Sequence, residues 1–131
     1  MPTTLPPFAI APPVFRFRHL ASLAGRAPIG GAREVALASF VVARLVAECI
    51  DGTDDNRTQR AARSIAAKGW LGTLALPQPV RGAAGRCADL SVDGERGPLA
   101  RDLRDLMVAA SGYLDARSRN ELEALARLLG G

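Results

Sequence analysis

Few residues in this chain could do chemistry: one histidine, His19, two cysteines, Cys49 and Cys87, and an acidic run at Asp51, Asp54 and Asp55. A catalytic imidazole needs a nucleophile or a carboxylate held against it. His19 instead sits in Arg16-Phe17-Arg18-His19, where neighbouring positive charge disfavours its protonated form and no partner can be named. A docked or solvated ring is the expectation. Cys49 and Cys87 fall at apolar helix positions, where a thiol is buried and inert. One His and two Cys cannot supply a His-rich metal set, an all-cysteine zinc site or a paired Cys/His finger. The acids at 51, 54 and 55 lack the ligand spacing and terminal Glu of a calcium loop, so helix capping explains them more simply. Gly69, Gly72, Gly82 and Gly85 are not followed by the Gly-Lys-Ser/Thr of a phosphate-cradling loop. The expectation is a protein with no catalytic residue, no metal and no cofactor.

Charge carries more information. The chain has 17 Lys+Arg against 13 Asp+Glu, a net +4, and every basic residue but Lys68 is arginine. Residues 1–30 contain Arg16, Arg18 and Arg26 and no acid, residues 31–56 are net acidic, and residues 57–92 hold six basic residues against Asp89. Arg57, Arg60, Arg63 and Lys68 cover an arc of roughly 140° on a helix and are candidate anion-binding residues, facing either a phosphate backbone or an acidic partner. A solvated helix face is the simpler reading. Neither a nucleic-acid recognition module nor a set of stacking aromatics accompanies them.

Leu5-Pro6-Pro7-Phe8 and Ala11-Pro12-Pro13-Val14 hold the backbone extended, so residues 1–30 are expected to form a Pro-rich arm. Three of the four Phe residues lie in it, more than a freely solvated tail carries. Phe8, Phe15, Arg16, Phe17, Arg18 and His19 are the candidate partner-binding residues. The arm is expected to pack across its own domain, with insertion into a partner chain as the alternative. Its prolines interrupt the apolar run a secretory signal needs and the amphipathic helix of a transit peptide. The apolar run Val35–Ala43 is too short to span a bilayer. The location expected is the cytoplasm, where free thiols stay reduced.

Residues 31–131 read as a helical domain. Ala and Leu dominate, aromatics are 5%, and no strand pair is evident. The first long helix is expected over Ala32–Ile50, apolar nearly all round, with Arg33, Glu34, Arg44, Glu48 and Asp51 on one stripe and Arg44–Glu48 as an i, i+4 pair. A second, capped at Thr53 or Asp54, runs to about Ala75, with Ala62, Ala66, Gly69 and Thr73 as a small-residue line for another helix. Others are expected over Val80–Ser91, from Pro98 to about Ala110, and from Asp115 or Ser118 to Leu129, the last with a Ser118–Glu121 capping box. The sum is an all-α fold, a compact four- to five-helix bundle preceded by the extended arm. Function is expected to be that of a non-catalytic subunit, adaptor or regulator that binds another protein chain or a second copy of itself. The alternative is a basic helical nucleic-acid-associated protein using the Arg57–Lys68 face.

Overall fold

A helix with apolar side chains on almost every side has to be surrounded. The computed structural model describes residues 17–26, 31–51 and 56–130. These form α1 (Arg18–Arg26), α2 (Gly31–Asp51), α3 (Arg57–Leu71), α4 (Gln78–Ser91), α5 (Arg96–Ala110) and α6 (Ala116–Leu128), with no strand among the described residues. The fold is all-α. Helix α2 touches each of the other five, and from Val35 to Glu48 every residue but Leu37 is buried. On α4, Ala83, Ala84, Cys87 and Ala88 are buried, and these small side chains let α2 and α5 approach closely. Leu99, Leu103 and Leu106 of α5 and Leu122 and Leu125 of α6 complete the core.

Several boundaries differ from expectation for local reasons. Residues 17–26, assigned to the extended arm, enter the core: Phe17, Leu20 and Ala24 are at most 4% exposed and α1 is helical. The one-turn spacing of those apolar residues, undisturbed by proline, is helical rather than extended. Residues 1–16 and 27–30 lie outside the described part. Helix α3 starts at Arg57, capped by Asn56, whose side chain accepts from the Gln59 N–H while the Gln59 side chain accepts from the Asn56 N–H. It stops at Leu71, where Gly72 forms the C-cap, four residues before the expected end. Pro79 and Pro98 lie in the first turns of α4 and α5, where a missing N–H costs nothing. Gly94, between those helices, has φ of +69°, a left-handed conformation that suits glycine.

The i, i+4 pair expected on α2 forms, and it is buried: Arg44 is 1% exposed and Glu48 8%, with Arg44 Nη2 3.4 Å from Glu48 Oε2. Helix α3 lies over them and brings Arg63 Nε to 3.2 Å from Glu48 Oε1. Burial pulls the Arg44 guanidinium below its ordinary value, and the adjacent Glu48 carboxylate opposes that shift. Arg44 Nε and Nη1 are buried without a hydrogen-bond partner among the described residues. One carboxylate thus answers two guanidinium groups, and removing it strands a buried charge. Glu48→Leu should cost about 3–5 kcal/mol in urea unfolding, and Arg44→Met/Glu48→Leu less than half of that. A double variant as unstable as the single one would show that charge compensation is not what Glu48 supplies.

Candidate functional site

The basic face of α3 lies along the end of α4, with Arg57 and Lys68 exposed and Arg60 and Arg63 half-buried. Arg57 Nε is 2.9 Å from Asp93 Oδ1, Arg60 Nε donates to the Val92 carbonyl at 2.8 Å, and Lys68 Nζ is 2.6 Å from Asp89 Oδ1. Between them, Ser64 Oγ donates to the Ala88 carbonyl at 2.8 Å. Together with Arg63 on Glu48, all four candidate anion-binding residues engage groups of α2, α4 or the turn after it. The C-terminal carbonyls of α4 carry the negative end of the helix dipole, which draws cations there. The small-residue line is correspondingly displaced: Ala62, Ala66, Gly69 and Thr73 are exposed, beside Ile65 at 69% exposure. They receive no helix among the described residues.

The three described partner-binding candidates gather where α1 meets α6. Phe17 is buried, Arg18 is exposed, and His19 Nε2 lies 2.6 Å from Asp115 Oδ2. Phe8, Phe15 and Arg16 lie outside the described residues. The junction is a reciprocal cap. Asp115 Oδ1 accepts from the Ser118 N–H at 2.9 Å and so caps α6, while its other oxygen holds His19. Glu121 leaves its own helix and caps α1: Oε1 accepts from the Leu20 N–H at 2.8 Å and Oε2 from the His19 N–H at 3.1 Å. At the other end of α1, Arg33 donates to the carbonyls of Ala24 and Gly25. The expected Ser118–Glu121 capping box is therefore absent. Ser118 is the third helical residue rather than the cap, and Glu121 is too far into α6 to reach that helix's first N–H groups. Asp115 is held down to about 2 by the His19 hydrogen bond first, then by the Ser118 N–H.

Two hollows flank this junction. One, of about 460 Å³, runs over Phe17, Ala124, Leu125 and Leu128 with Asn120 and Glu121 at its edge, and Leu128 is 59% exposed within it. The other, of about 490 Å³, is polar and lined by Arg18, His19, Ser22, Arg117 and Glu121. Sequence reasoning singled out neither Arg117 nor Leu128 as functional. The only available signal was that Leu128 follows Leu125 and precedes Leu129, one more leucine than a single buried face of α6 can absorb.

Nucleophiles are placed differently. Cys87 is fully buried, and burial pushes its thiol up to about 12, with Asp102 adding to the shift. The Cys49 thiol donates to the Ser91 carbonyl at 3.3 Å. No three His, Cys, Asp or Glu side chains converge as a metal set among the described residues, and no described helix is long and apolar enough to cross a membrane. Compared with protein-family models, curated proteins and solved structures, the chain matches none.

Two measurements check the junction. A carboxyl whose folded value is depressed stabilises above its unfolded value, near about 4, and loses that contribution as pH falls through about 2. Melting temperature should therefore drop from pH 4 to about 2, and Asp115→Asn should flatten that part of the profile. An unchanged acid profile in the variant would place the loss elsewhere. Glu121→Ala should cost about 1–2 kcal/mol and release the α1 amides to hydrogen exchange ahead of α2; equal protection of α1 in both proteins would contradict the tertiary cap.

Proposed function

We propose that the protein is a non-catalytic helical interaction module, a subunit, adaptor or regulator, that binds another protein chain through the groove between α1 and α6. The observation carrying this reading is the groove itself. Phe17 and Leu125 form an apolar floor, and Leu128 and Ala124 stand exposed above it on α6. A hollow of that size accepts one or two large apolar side chains, the usual anchors of a helix-in-groove or extended-peptide contact. Two further shallow hollows extend the surface, one between α5 and α6, the other between α4 and α5. They share Val108, which is 70% exposed.

The nucleic-acid alternative asks Arg60 and Arg63 to leave partners they already hold and Arg57 and Lys68 to give up surface ion pairs, so the groove is the better-supported surface. Part of the candidate arm also changes meaning. Phe17 to Ala24 belong to the scaffold of the groove.

A photoreactive amino acid at position 128 tests the reading in cells that make the protein. The expected product is a covalent adduct with a different chain, lost when Ala124→Gln alters the groove. Failure to form any adduct with another chain would overturn the proposal.

A further inference from the structure

The polar hollow beside the groove has a composition that the α1–α6 junction does not require. Asp115 is occupied by His19 and the Ser118 N–H, and Glu121 by two N–H groups of α1. Arg18 and Arg117, exposed on the first turns of α1 and α6, form no ion pair among the described residues, although Glu121 lines the same hollow. Both acids of the junction are thus engaged internally, while two guanidinium groups face the hollow from two helix N-termini, the ends whose dipoles also favour anions. The apolar and polar hollows are contiguous: Glu121 lines both, and Phe17 and Arg18, consecutive in the chain, line one each.

Resting on the reading of the groove as a protein-binding surface, we propose the chemistry of its partner. The occupant is a short segment of another protein in which one or two apolar side chains are followed closely by carboxylates. The apolar residues fill the groove over Phe17, Ala124, Leu125 and Leu128. The carboxylates meet Arg18 and Arg117, whose planar donors suit bidentate pairing and fix which way the segment runs. Apolar burial supplies most of the affinity, and the charges supply orientation and encounter rate, since rim ion pairs contribute little by themselves. The chain's own residues 1–30 contain no acid, so neither its own arm nor that of a second copy carries the complementary charge.

Selection of short random peptides displayed on phage against the full-length protein tests this directly. Enriched peptides are expected to place Asp or Glu within a few residues of Leu, Phe, Ile or Trp. Their binding should weaken about tenfold in Arg18→Glu/Arg117→Glu, and more in Ala124→Gln/Leu128→Gln. Both pairs are exposed, and glutamate near a helix N-terminus is favourable, so circular dichroism and melting should stay close to the parent protein. Peptides that need Leu128 yet are neutral or basic, or that ignore the Arg18/Arg117 reversal, would overturn the partner chemistry while leaving the interaction groove standing. Enrichment of proline-rich sequences resembling residues 1–16 would overturn it in favour of the chain's own arm. Binding of a single-stranded oligonucleotide, lost with the same charge reversal and without peptide enrichment, would overturn it in favour of phosphate. Peptides indifferent to Ala124→Gln/Leu128→Gln would overturn the groove itself.

Discussion

The buried guanidinium of Arg44 is the constraint around which the bundle is arranged. A charged side chain at 1% exposure is tolerated only beside a compensating charge, and Glu48, one turn along α2, supplies it. Covering that pair fixes the neighbour. Helix α3 must lie across α2 with Arg63 reaching Glu48, and this sets its rotation. Once Arg63 points inward, Arg60, Ser64 and Lys68 follow along the same side and meet the last carbonyls and acids of α4. The opposite side, carrying Ala62, Ile65, Ala66 and Gly69, is then left to solvent. The basic stripe of α3 thus runs along the seam with α4, Arg60 and Arg63 half-buried within it and Arg57 and Lys68 exposed at its edge.

Helix α1 likewise depends on contacts from other elements. Nine residues are too few to hold a helix in water, so α1 exists because the fold supplies its ends and its underside. Glu121 satisfies its first amides, Arg33 its last carbonyls, and the core receives Phe17, Leu20 and Ala24. The groove against α6 depends on that docking, because Phe17 is its floor and Glu121 both edges it and caps α1. The shape of the groove therefore requires α1 to stay docked.

Much of the helical architecture was legible in the chain. The continuous apolar run of α2, the Leu99–Leu103–Leu106 repeat of α5 and the prolines opening α4 and α5 act within a few residues, so they hold whatever the tertiary arrangement. Thr53 and Asp54 against Asn56 as the cap of α3 was a choice among adjacent capping residues that local chemistry leaves nearly equal. The candidate site was legible only in fragments. Phe17, Arg18 and His19 were singled out for their composition, but what surrounds them, Asp115, Arg117, Glu121 and Leu128, is about 100 residues away along the chain.

By itself, then, the sequence determined an all-α chain with a central apolar helix, few chemically reactive groups and segregated charge, because periodicity, capping and composition act over one or two turns. Tertiary structure alone decided which charges are buried, which way α3 faces, and that a glutamate on α6 caps α1. Those outcomes depend on relative helix rotation, in which a turn of about 100° separates one residue from the next. The Arg63–Glu48 contact ties α3 to α2 in one such rotation, and no pattern within one helix records that contact.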